Sequence, residues 1–185
     1  MEQSQSPTMA GVLVIDKPRG PTSMSMVNLV RRRAGKVKTG HAGTLDPLAT
    51  GVLVLGLGKM TKRLGELTLT NKRYTTVIDL SATTAGHDDE SPREEVEIEN
   101  PPSLSTLVEV LETFRGNIMQ RPPSFSAVKV DGHRAYAVAR KGGEVVIEPR
   151  RVEVFEIALV EYEWPRVTID IKCAKGFYVR SLARD

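Results

Sequence analysis

Cysteine occurs once in these 185 residues, at Cys173, which excludes an intrachain disulfide and any cysteine-rich zinc site. Histidine is nearly as scarce: His41, His87 and His133 lack ligand spacing to one another, so the sequence supports no metal centre. Aromatics make up only 5% of the chain, one Trp, four Phe and four Tyr, so a site needing an aromatic wall must draw on very few residues. No stretch approaches the roughly 18 consecutive apolar residues of a membrane span. The opening Met-Glu-Gln-Ser-Gln-Ser-Pro-Thr lacks the charged and apolar regions of a secretory signal. These absences predict a cytoplasmic protein without membrane association, led by a disordered segment over residues 1–10. No fixed-period repeat is present.

What is there suits one compact domain over residues 11–185: 40% hydrophobic and 26% charged residues, ordinary for a globular chain. The formal net charge of +3 conceals an asymmetry. Residues 1–80 hold 12 Lys and Arg against 5 Asp and Glu, net +7, whereas residues 81–185 hold 14 against 18, net −4. A concentrated positive field favours a polyanionic partner such as nucleic acid. Arg31, Arg32, Arg33, Lys36, Lys38, Lys59 and Lys62 supply much of it.

Val12–Asp16 reads as a strand ending at Lys17-Pro18-Arg19-Gly20. Thr22 or Ser23 then offers an N-cap, and Val27, Val30 and Ala34 recur at helical spacing before Gly35. A buried strand is expected over Val52–Leu57, a short basic helix over about Lys59–Leu67, and a strand over Arg73–Leu80. Residues 81–103 read as a polar excursion with a short strand near Val96–Ile98. Within it His87-Asp88-Asp89-Glu90 reads as a solvated acidic loop rather than a cation site. Leu104, Leu107, Val108, Leu111 and Phe114 mark an amphipathic helix that Gly116 ends. A strand over Ser124–Val130 entering an Asp131-Gly132 turn, a helical turn or two over Ala135–Arg140, and strands over Arg151–Ile157 and Val167–Ala174 complete the pattern. In the last strand Cys173 shares the apolar face with Val167, Ile169 and Ile171, which marks it as a core thiol. Strands without regular alternation with helices imply an α+β fold, with a mixed, largely antiparallel sheet flanked by helices. The chain stops at Asp185 in what reads as a helix just begun, as a piece of a longer protein whose C-terminal part is missing.

One run carries the chemistry: Gly40-His41-Ala42-Gly43-Thr44-Leu45-Asp46-Pro47-Leu48-Ala49-Thr50-Gly51-Val52. A carboxylate sits in a Gly-rich loop beside His41 and Thr44, just ahead of an apolar strand, and such loops commonly hold functional groups. This run closely resembles the catalytic signature of the TruB family of tRNA pseudouridine synthases. Three further segments match that family in order: Gly11–Gly20 with its Asp16-Lys17-Pro18, Lys72-Arg73-Tyr74, and Lys175-Gly176-Phe177-Tyr178-Val179-Arg180.

The resemblance implies that Asp46 is the indispensable carboxylate in converting uridine to pseudouridine. The reaction breaks the C1′–N1 bond, turns the uracil and joins C1′ to C5, so it needs no redox equivalent, phosphate donor or other cofactor. It needs an ionised carboxylate and a dry pocket for the detached base. Adding to the base, attacking C1′ and removing a sugar proton all begin from that carboxylate. A dry pocket would raise its pKa, and an Arg held against it reverses the shift, the role the resemblance assigns to Arg180. Tyr74 would stack on the uracil and could exchange a proton; Tyr178 would close the other side and hydrogen-bond. A uridine in a folded RNA loop must be flipped out, and His41 resembles the residue that contacts the flipped region. Thr44, Lys17, Lys72 and Arg73 join the substrate contacts on the same ground.

The expected partner is therefore the T arm of tRNA, modified at position 55, with no obligate protein partner. Two rival readings fare worse. Gly56-Leu57-Gly58-Lys59-Met60-Thr61 hints at a mononucleotide loop but lacks the third glycine. A non-catalytic RNA-binding module fits the basic half equally well, but gains nothing from a carboxylate facing phosphates.

Overall fold

The computed structural model describes residues 9–126, 128–130, 133–135 and 147–185. They fall into two compact units divided after Thr70.

The first unit is built on three strands, β1 Gly11–Lys17, β2 Thr39–His41 and β3 Gly51–Leu57, which form an antiparallel sheet in the order β1-β3-β2. Helix α1, Ser23–Arg33, begins where the Thr22 hydroxyl accepts from the Ser25 N–H at 3.0 Å. It packs Val27 against Leu53, Leu55 and Leu57, with Ile15, Val30 and Leu45 around them. β3 is not buried throughout: Val52 is 71% exposed because alternate side chains leave by the opposite face. The expected basic helix is a 3₁₀ segment, Gly58–Arg63, running into a short α2, Leu64–Thr68. Leu64 lies over Gly40 and Gly56, which face each other across β2 and β3. A Cβ on Gly40 would stand 2.9 Å from Leu64 Cδ1, and one on Gly56 3.0 Å from Leu64 Cδ2.

The second unit is built on β4 Lys72–Asp79, β7 Gly116–Gln120, β10 Arg150–Glu163 and β11 Arg166–Cys173. They form a four-stranded sheet in the order β4-β11-β10-β7. Every pairing among the described residues is antiparallel, so the parallel component of the expected mixed sheet is not seen there. Val154, Ile157, Val167, Ile169, Ile171 and Cys173 form the core, with Leu111 from helix α3, Leu104–Thr113. α3 covers β10 incompletely: Leu104 and Val108 remain 55% and 47% exposed.

Four local expectations need correction. Residues 81–103 carry a hairpin of β5, Ala82–Thr84, and β6, Arg93–Glu95, whereas Val96–Ile98 is no strand. The hairpin is fixed by polar side chains, Arg93 reaching Asp79 at 3.1 Å, which apolar alternation does not reveal. β7 was not anticipated, because Gly116-Asn117-Ile118-Met119-Gln120 has too few apolar positions to alternate clearly. Of the described residues in the expected strand over Ser124–Val130, only Lys129–Val130 forms a strand, β8, paired with β9, His133–Arg134. Strand β10 runs six residues past the expected Ile157, in a stretch rich in Glu. Residues 1–8, the Asp131-Gly132 turn and the Tyr136–Arg140 helical segment lie outside the described residues. The chain ends in helix α4, Val179–Arg184. No helix among the described residues is long and apolar enough to cross a membrane.

Candidate functional site

In the first unit the Asp46 loop leaves β2 at His41 and enters β3 at Gly51, and the residues on either side of Asp46 are both pinned. On one side the buried Ser23 hydroxyl accepts from the Leu45 N–H at 2.9 Å and lies 3.0 Å from the Leu45 carbonyl, to which it donates. On the other the Pro47 carbonyl accepts from Lys17 Nζ at 3.1 Å and from the Gly20 N–H at 2.8 Å. The loop is closed by the Ala49 N–H donating to the Asp46 carbonyl at 3.1 Å and by the Ala42 N–H donating to Val54.

Lys17 is fully buried and also donates to the Pro18 carbonyl at 2.9 Å. Burial lowers the pKa of its ammonium, and the charge on Asp46 opposes that shift. This placement makes Lys17 a holder of the Asp46 loop rather than a surface open to substrate. His41 Nδ1 lies 2.6 Å from the Gly43 carbonyl, which can only accept, so Nδ1 carries the proton. Asp46 and His41 are half-buried and Thr44 is exposed.

The second unit places the remaining residues. Tyr74 lies on β4 opposite Ile171, half-buried against the sheet core. Its neighbour Arg73 points outward and pairs with Asp170 at 2.9 Å, 68% exposed. Lys72, opposite Cys173, has its pKa lowered by burial. In return burial pushes the Cys173 thiol up to about 11, as a core cysteine should behave.

Tyr178 is the last extended residue before α4, and it packs against Val128, Ala135 and Ile147. Helix α4 packs beside β4, so Tyr74 and Arg180 belong to neighbouring elements. Arg180 donates to the carbonyls of Gly86 at 3.3 Å and Phe125 at 3.0 Å, and its guanidinium stands 3.4 Å from the Asp88 carboxylate.

Asp88 corrects the reading of residues 87–90 as a wholly solvated loop. Thr84 turns the chain inward, its hydroxyl accepting from the Asp88 N–H at 3.0 Å and donating to the Asp88 carbonyl at 2.8 Å. Gly86 leaves room for the Asp88 carboxylate: a Cβ there would stand 2.8 Å from Asp88 Oδ1. The available signal was the Thr-x-Gly-x-Asp spacing of Thr84, Gly86 and Asp88, obscured by three acidic residues in a row. Gln120 was also missed, and its amide contacts the backbone of Tyr178.

Residues 31–179 match the model of the TruB family pseudouridylate synthase N-terminal domain. The chain is similar to tRNA pseudouridine synthase B of Bacteroides fragilis, 47% identical over 183 residues, covering 94% of this chain and 77% of that protein. It is 42% identical over 185 residues to tRNA pseudouridine synthase B of Corynebacterium diphtheriae, covering 95% of this chain and 61% of that one. Among solved structures, a chain of a Cbf5-Nop10-Gar1 complex aligns with a TM-score of 0.70 at 28% identity. The match covers 95% of this chain and 43% of that one. A chain of an H/ACA RNP bound to a substrate RNA containing 2′-deoxyuridine aligns with a TM-score of 0.66 at 26% identity, covering 94% of this chain and 40% of that one.

Proposed function

The chain belongs to the TruB family of pseudouridylate synthases, and from that premise we propose that it isomerises uridine to pseudouridine at position 55 in the T loop of tRNA, through Asp46 and without a cofactor. The observation that carries the reading is the Asp46 loop, in which Leu45 is fixed by Ser23 and Pro47 by Lys17 and Gly20. A reaction that detaches and reattaches a base tolerates little wandering of the group that governs it.

The roles divide among few side chains. By the family resemblance, Asp46 supplies the negative charge beside the sugar and base, and Arg180 is the cation assigned to it. Tyr74 offers a ring to stack on the uracil and a hydroxyl able to exchange a proton; Tyr178 bounds the opposite side. His41 and Thr44 meet the flipped nucleotide, and the exposed Arg73 contacts the backbone. Uridine and pseudouridine are isomers, so the reaction balances without any co-reactant.

The test is incubation with unmodified tRNA transcript, followed by carbodiimide mapping of pseudouridine. A single stop in the T loop is the expected result, with affinity falling steeply as salt rises. Bound tRNA that acquires no pseudouridine would overturn the proposal.

A further inference from the structure

Gln120 ends β7, opposite Arg150 of β10, and its side chain is 2% exposed. Both ends of its amide bond one distant residue. Nε2 donates to the Tyr178 carbonyl at 3.1 Å, and Oε1 accepts from the Tyr178 N–H at 2.8 Å. Two opposed hydrogen bonds to the N–H and C=O of a single residue reproduce the pairing of an antiparallel sheet with a side chain in place of a strand.

That clamp acts where strand geometry gives way to helix. Tyr178 is extended, φ −120° and ψ 116°, and no side chain caps α4. Its carbonyl also accepts the first helical bond, from the Leu182 N–H at 3.2 Å. Fixing Tyr178 therefore fixes the residue at which α4 starts, and with it Arg180, two residues on. The segment after Gln120 holds the same helix at two further points. There the Arg121 carbonyl accepts from the Ser181 hydroxyl at 2.7 Å, and the Phe125 carbonyl from Arg180. Resting on the synthase reading, we infer that Gln120 is a positioning residue for this reaction, setting Tyr178 and Arg180 at working geometry through the start of α4.

The chemistry of the amide supplies a test that a merely space-filling residue would not pass. A glutamic acid keeps the length of the side chain and, when protonated, one donor and one acceptor. When ionised it offers only acceptors, and would face the Tyr178 carbonyl with no hydrogen to give. Burial and that carbonyl raise the pKa of such a carboxyl, which brings its protonation into an accessible range.

Single-turnover rates, tRNA affinities and melting temperatures should be compared for the parent, Gln120→Glu and Gln120→Met between pH of about 8 and about 5. Gln120→Glu should be slowed roughly tenfold or more at the upper end, with tRNA affinity unchanged. Its rate relative to the parent should recover on acidification. Gln120→Met should be slow throughout with no such recovery. Parent-like rates in folded Gln120→Met would overturn the inference, as would a Gln120→Glu deficit that follows affinity rather than rate. If Gln120→Glu does not fold, the Gln120→Met rate alone decides.

Amide hydrogen exchange separates this claim from the reading it rests on. The Tyr178 N–H should exchange roughly tenfold faster in Gln120→Met. A parent that forms no pseudouridine, with Tyr178 protected and deprotected as stated, defeats the synthase reading and keeps the clamp. An active parent whose Tyr178 exchange is indifferent to Gln120 defeats the clamp alone.

Discussion

The Arg180 guanidinium and the Asp88 carboxylate face each other at 3.4 Å, their side chains only 12% and 17% exposed. A cation assigned to hold Asp46 ionised is thus itself held by a second carboxylate, together with the Gly86 and Phe125 carbonyls. Asp88→Asn should therefore weaken isomerisation by at least roughly tenfold while tRNA affinity holds, and lower stability by about 2 kcal/mol, between the surface and buried limits for such pairs. Paired measurements of single-turnover rate and denaturant midpoint check this. A lowered midpoint with a normal rate would make Asp88 structural only.

Asp46→Asn should abolish pseudouridine formation, because it removes the charge and keeps the shape. Filter binding should give the parent's tRNA affinity. Turnover within about tenfold of the parent would remove Asp46 from its assigned role.

Tyr74→Phe preserves the ring against the sheet core and deletes the hydroxyl. If that hydroxyl moves a proton, single-turnover rates should fall on the order of a hundredfold with affinity unchanged. An unchanged rate would leave Tyr74 as a stacking wall.

Asp79 titrates well below the usual carboxylate range, at about 2, chiefly because the Ser81 hydroxyl donates to it at 2.6 Å, with Arg93 adding its charge. A depressed native pKa stabilises the folded state above the unfolded carboxylate pKa of about 3.9, and the contribution disappears as pH falls toward 2. Its size is at most about 2 kcal/mol, since the group retains some contact with water. Asp79→Asn should lower the melting temperature at neutral pH and converge on the parent at the acid end of that window.

Cys173 should ignore a disulfide reagent at pH of about 8 while the protein is folded, since burial holds its thiol at about 11. Reaction should appear in step with denaturation. Rapid labelling of the native chain would mean that the Cys173 end of β11 opens readily.

Strong, local signals were legible in the sequence. The α1 cap at Thr22, the α3 periodicity and the alternation of Val167 to Cys173 each lie within about ten residues and reappear nearly unchanged. The Asp46 loop was readable because its chemistry is contiguous. Asp88 and Gln120 escaped because their partners are 92 and 58 positions away, at Arg180 and Tyr178. No local pattern marks Gln120, whose amide meets the backbone of Tyr178. β7 escaped for a related reason: its strand character comes from pairing with β10 rather than from its own residues.

The glycine pair beneath Leu64 bears on the same loop from below. If β2 slid by one residue, Thr39 or His41 would stand opposite Gly56, and its side chain would be driven into Leu64. The hairpin is thus indexed by two hydrogens where every other residue would carry carbon. The count from that index to Asp46 is six residues, so the address of the carboxylate is written partly in atoms the chain leaves out.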